Sequence, residues 1–162
     1  LYAAKSGGRN RIVCSAQTHR DPCDLACFKL VWHARYASGH PLIDAQHQGL
    51  VQDANELLIA ILEAQPVERV LAIAEHLLGD VVTHFRDEEA VLRALDYPEL
   101  AAHQAIHAAL AGEGVALLAA LRRGEGKVGD WFQFLAHEVV VKHMLQVDQD
   151  YFPLVAVQGR QC

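Results

Sequence analysis

The sequence predicts an all-α protein, an antiparallel up-down-up-down four-helix bundle with an irregular N-terminal extension. Three observations carry this. Apolar residues between residue 44 and about 156 recur at spacings of three and four, the period of a helix with one buried face. The breaks between the four periodic stretches are short, which favours antiparallel neighbours. No stretch in that region alternates with the period of a strand.

The first helix is expected from Asp44, read as its N-cap, to about Ala64, with Leu50, Val51, Leu57, Leu58, Ile61 and Leu62 on its apolar face. Pro66 suits the first turn of a second helix reaching about Leu95, where Tyr97-Pro98 breaks the pattern. The third is expected from about Glu99 to Arg123, weakened in its middle by Gly112 and Gly114. A glycine-rich turn, Gly124 to Gly129, leads to a fourth helix starting near Asp130. That helix presents Trp131, Phe134, Leu135, Val139, Val140 and Met144.

Composition narrows the function. A chain of 162 residues, 52% hydrophobic, can bury one real core. The net charge of −6, without a block of like charge, is no nucleic-acid footprint. The apolar runs read as too short to span a bilayer, and the N-terminus has no apolar signal-peptide core. Cys14, Cys23, Cys27 and Cys162 lie outside the helical patterns, and Cys23 and Cys27 form CxxxC, a spacing typical of neither zinc nor thioredoxin sites. They are read as free thiols in a reducing, cytoplasmic compartment.

Ten histidines remain to be explained. In "HQAIH", His103 and His107 share one helix face, which by itself describes many solvated surfaces. Every helix of the bundle, however, carries a candidate ligand. His47 lies early in the first, His84 and Glu88 late in the second, His103 and His107 early in the third, and His143 and Asp148 late in the fourth. In an antiparallel bundle all seven meet at one end. Asp148 is awkward, because five residues of regular helix turn it roughly 140° from His143. A π-type bulge or local unwinding is expected there.

Five imidazoles and two carboxylates exceed one octahedral ion but serve two ions if both carboxylates bridge. One ion would take His103, His107 and His143. The other would take His47 and His84, with one position open. Imidazole with carboxylate suits iron, whereas zinc prefers a smaller tetrahedral set. Ferritin-like bundles use Glu-x-x-His pairs, and this chain has none.

From Trp32 to about Tyr151 the chain resembles the bacterial hemerythrins. The resemblance runs through "WHARYASGHPLIDAQHQGLVQDANEL", "HFRDEEAVLRALDYPELAAHQAIH" and "HMLQVDQDY". It implies two non-haem iron ions, bridged by carboxylates and an oxo or hydroxo group, on those seven residues. It also implies reversible O2 binding beside His47 and His84. Val139, Val140, Met144 and Phe85 would line the O2 pocket. Many members have Trp-Leu where Val139 and Val140 stand, and Ile at Met144, so a roomier pocket and faster autoxidation are expected. Alternatives are an O2 carrier or store, a di-iron oxidase or peroxidase, and a protein handling nitric oxide. His19, His33, His40, His76 and His137 are read as structural or solvent-exposed.

The opening "LYAAKSGGRNRIV" resembles the C-terminal end of a GGDEF-type diguanylate cyclase domain, through Leu1-Tyr2, Ala4-Lys5, Gly8-Arg9-Asn10-Arg11 and Val13. The start on Leu fits a piece of a longer protein. The expected organisation is a cyclase remnant at 1–13, a linker at 14–31, the bundle at 32–156 and a tail at 157–162. The remnant lacks the catalytic loop, so this chain reads as a binding and sensory domain, not an enzyme.

Overall fold

The computed structural model describes residues 29–158. The cyclase-like remnant, most of the expected linker and all four cysteines lie outside them.

A short 3-10 turn, Ala34–Tyr36, precedes α1, Pro41–Leu62. Asp44 is not the N-cap, contrary to expectation. Pro41 occupies the start and His40 is the cap, in extended conformation. Asp44 instead reaches back from the first turn, where a carboxylate suits the positive helix end. Its Oδ1 accepts from the Ser38 amide at 2.6 Å and the Ser38 hydroxyl at 2.7 Å, and its Oδ2 from the Gly39 amide at 3.1 Å. Gly39 permits this fold-back with φ +85°.

α2 spans Val67–Ala94, with Pro66 one step outside it as the cap, and α3 spans Leu100–Arg122. α1, α2 and α3 end alike. The residue after the C-cap is left-handed: Ala64 (φ 50°), Asp96 (φ 51°) and Gly124 (φ 71°). The next amide then bonds far back into the last turn, as in Gln65 to Ala60, Tyr97 to Leu92 and Glu125 to Ala120. These are Schellman ends, and only one uses the usual glycine. Gly114 does not break α3. A Cβ there would lie 2.8 Å from Leu78 Cδ1 and 3.4 Å from Phe134 Cε1, so the glycine makes room for α2 and the fourth helix.

The fourth helix opens as α4, Val128–Gln133, and continues as a π-helix over Phe134–Val147. A 3-10 turn, Asp148–Asp150, and α5, Phe152–Gln158, follow. The expected irregularity before Asp148 is thus a 14-residue π segment, longer than a single bulge. Its wider turn brings positions five apart towards one face, as His143 and Asp148 require.

α1 packs on α2, α2 on α3, and both α1 and α3 on the fourth helix, closing a four-helix bundle. The main apolar core runs from Leu50 and Leu57 through Leu77 and Val81 to Trp131, Leu135 and Met144. A second apolar cluster, Ile43, Leu92, Tyr151 and Val155, lies beyond the seven predicted polar residues. α3 is long and apolar enough to cross a bilayer by length and composition alone, with mean hydropathy 1.4 over its most apolar window. Its two histidines nevertheless face the bundle interior, so it forms a wall of the bundle.

Candidate metal centre

The structure brings all seven sequence-predicted residues together between the two apolar clusters. His47, His84, Glu88, His103, His107, His143 and Asp148 are each at most 4% exposed. Leaving so many polar groups buried without partners would be costly, so their contacts matter.

Their donor atoms fall into two groups. Glu88, His103, His107 and His143 form one, and His47, His84, Glu88 and Asp148 the other. Glu88 belongs to both: its Oε1 lies 2.8 Å from His103 Nε2 and its Oε2 3.0 Å from His84 Nε2. Asp148 also spans them, with Oδ1 3.2 Å from His143 Nε2 and Oδ2 3.5 Å from His47 Nε2. The histidines meet tip to tip, His47 and His84 Nε2 at 3.1 Å, His107 and His143 Nε2 at 2.7 Å. Two imidazole nitrogens facing each other share at most one proton, whereas a cation would use both lone pairs. Glu88 Oε2 and both Asp148 oxygens have no partner of good hydrogen-bond geometry. Orphaned acceptors on both carboxylates, among converging imidazoles, fit a pair of metal ions.

Electrostatics agree. Burial holds His47 down at about 4, against the pull of Glu88. Burial, then the neighbouring His107, holds His143 at about 3. Both are neutral at pH 7 and keep a lone pair for coordination. Burial pushes the Glu88 carboxyl up, but the His103 hydrogen bond and the close His84 and His107 imidazoles outweigh it, so Glu88 stays ionised. Burial and the nearby Glu88 charge drive Asp148 upwards. Of two buried carboxyls this close, one keeps its proton unless positive charge lies between them; bound ions would let both ionise.

The shell around these residues was not singled out from the sequence. His107 Nδ1 lies 2.8 Å from Glu89 Oε1, and Gln104 Nε2 donates to Glu89 Oε2 at 2.8 Å. His84 Nδ1 lies 3.1 Å from Gln46 Oε1, and Gln46 Nε2 donates to Asp87 at 2.8 Å. With the proton held on Nδ1, each Nε2 is left as a ligand atom. The only hint in the sequence was adjacency, Glu89 beside Glu88 and Gln46 beside His47. Tyr151 is fully buried. Burial and the Asp148 and Glu88 charges push its ionisation far up, so its hydroxyl stays a proton donor.

The expected O2-pocket residues are buried: Val139, Val140, Met144 and Phe85 are at most 4% exposed. Phe85 stacks on His107, with ring centres 3.9 Å apart and planes 7° apart, and edges against His143. It thus lies mainly beside the three-histidine group. His33, His76 and His137 are exposed and His40 is half-buried. His137 pairs with Glu138 at 2.8 Å. His76 lies with Asp53 and Asp80 in a separate, partly exposed group on α1 and α2. His19 lies outside the described residues.

Comparison with known proteins follows the same lines. A comparison with curated proteins finds no match. Among solved structures, a leucine-to-tyrosine variant of hemerythrin superposes with a TM-score of 0.71 at 26% identity, covering 78% of this chain and 97% of that one. A leucine-to-phenylalanine variant gives the same values. A leucine-to-alanine variant of hemerythrin gives 0.70 at 27% identity, with the same coverage. The family signature described as the hemerythrin HHE cation binding domain matches residues 38–155. That is most of the chain and all seven buried donors, and the chain therefore belongs to the hemerythrin HHE cation-binding domain family.

Proposed function

We propose that the bundle holds two non-haem iron ions and binds O2 reversibly. The carrying observation is the pair of donor groups that share Glu88 and are spanned by Asp148. His103, His107 and His143 would hold one ion, His47 and His84 the other, with both carboxylates bridging. Three histidines against two leave the second ion the open position.

The ions, when bound, supply O2 coordination and one electron each. The chain's residues do the rest. Glu89 and Gln46 hold the protons of His107 and His84 on Nδ1. Glu88 and Asp148 supply the negative charge. Val139, Val140, Met144 and Phe85 keep water from the centre, which favours reversible binding over proton-assisted oxidation. Two valines leave more room than a Trp-Leu pair would, and faster autoxidation follows.

The test is a visible spectrum of iron-loaded protein, reduced without air, then exposed to air, then deoxygenated. Reversible binding gives a charge-transfer band that appears with air and disappears with it. Direct, one-way passage to the oxidised spectrum would overturn the reversible reading.

We further propose that this centre is the O2 or redox input to a diguanylate cyclase domain joined at the N-terminus, in a cytoplasmic protein. The GGDEF-like residues 1–13 support this. Such coupling needs two bundle states that differ in their contacts. Equal cyclase activity of the full-length protein in its reduced and oxidised states would refute it.

A further inference from the structure

Between residues 29–36 and the fourth helix lies a groove of about 690 Å³, within the size range of small-molecule sites. Its walls are aromatic and aliphatic, including Trp32, Tyr36 and Phe132, and it deepens to Val51 and Val140. Its polar lining is one-sided. Lys29, His33, Arg35 and His137 contribute to it, and none of the described residues lining it is acidic, in a chain of net charge −6. Glu138, beside the rim, is already paired with Lys142 and His137. Arg35 is held at the rim, donating to the Tyr36 hydroxyl at 2.7 Å with its guanidinium 4.9 Å from that ring's centre. Asn55 ties down the N-terminal wall by hydrogen bonds to the backbone N–H and C=O of Leu30, at 2.8 and 2.9 Å.

The groove also borders the metal centre. The Trp32 ring centre is 6.2 Å from that of His47 and 5.9 Å from that of Tyr36. One indole therefore separates the groove from a residue of the two-histidine group.

We propose that this groove binds a planar aromatic redox molecule carrying an anionic group, of the flavin mononucleotide class, and that Trp32 passes its electrons to the metal centre. The inference rests on the di-iron reading above. The ring system would lie between the aromatic walls, with the phosphate at Arg35 and Lys29. The reduced flavin loses two electrons and two protons and becomes oxidised flavin. Two ferric ions each gain one electron and become ferrous, and the protons leave to solvent. The groove would then be the recharging port of a centre that oxidises in air.

The test uses the full chain with its iron content measured in every sample. Calorimetric titration of the oxidised protein with oxidised flavin mononucleotide should show one saturable site. Riboflavin, which lacks the phosphate, should bind about tenfold more weakly, and Arg35→Glu and a charge at the groove-lining Val141, Val141→Asp, should weaken binding by about tenfold or more with iron content unchanged. Under anaerobic mixing with reduced flavin mononucleotide, loss of the ferric absorption should saturate with flavin concentration. Trp32→Phe should lower the limiting rate at saturating flavin, a readout separate from any change in affinity that the loss of the indole wall brings. No saturable binding, equal affinity for riboflavin, or indifference to both groove variants would overturn the site. Binding without saturable reduction, or an unchanged limiting rate in Trp32→Phe, would overturn the electron route. A chain that binds flavin but no iron would instead sink the di-iron reading and leave the groove site standing.

Discussion

Glu89 offers a sharp test of how the centre is held, because it touches a donor residue and is not one of the seven. Its Oε1 lies 2.8 Å from His107 Nδ1, and its side chain is 20% exposed against 3% for His107. A hydrogen bond to a charged group contributes about 1.5–3 kcal/mol. Partial exposure of Glu89 places this one at the lower end. Glu89→Gln keeps an acceptor of the same shape and loses the charge, so about 1.4 kcal/mol, a tenfold loss of metal affinity, is expected. Glu89→Ala leaves the buried Nδ1–H without an acceptor and frees the Gln104 amide, which moves the loss towards about a hundredfold. Gln46→Ala, on the His84 side, removes only a neutral acceptor at 3.1 Å and should cost less than Glu89→Ala. The assay is competition for ferrous or cobaltous ion against a chromophoric chelator, with circular dichroism to confirm the helix content. Wild-type affinity in both Glu89 variants would refute the claim that this carboxylate orients His107.

Further predictions concern neighbouring features. Glu88→Ala or Asp148→Ala should drop iron stoichiometry below two per chain, since each removes a carboxylate that spans both groups; full occupancy would contradict the bridging assignment. His137→Ala should leave iron content unchanged, because that imidazole is exposed and engaged with Glu138, and a measured loss would show that the wrong histidine was excluded. Val139→Trp should slow autoxidation followed by the visible spectrum, and an unchanged rate would remove the argument from the small valines. Gly114→Ala should be near neutral in thermal unfolding, since a helix-propensity gain of about 1 kcal/mol offsets the push on Leu78. Gly114→Leu should overpack the α2–α3–fourth-helix contact by about 1–3 kcal/mol.

Much of the fold was legible because its signals are periodic and local. The four helices follow from apolar spacing, and their order follows from the short breaks between them. The donor residues were legible because each helix places them at the end that antiparallel packing brings together. Helix ends were less legible. Asp44 has the chemistry of a cap, yet the backbone of Ser38 and Gly39 folds back to make it an acceptor inside the first turn. Ala64 and Asp96 take the left-handed positions that glycine would have announced.

The sequence by itself determined the helices, their antiparallel order and the identity of the seven converging polar residues, because periodicity and chain connectivity constrain those directly. Only the tertiary structure decided which oxygen of Glu88 and Asp148 faces which imidazole, and how far the π-helix extends to turn Asp148 inwards. It alone paired Glu89 with His107 and Gln46 with His84, and set Trp32 between His47 and a basic-rimmed groove. Those contacts join residues far apart along the chain, as His47 and Asp148 are. No local pattern encodes them, because they arise when side chains from different helices compete for the same buried space and the same few hydrogen-bond partners.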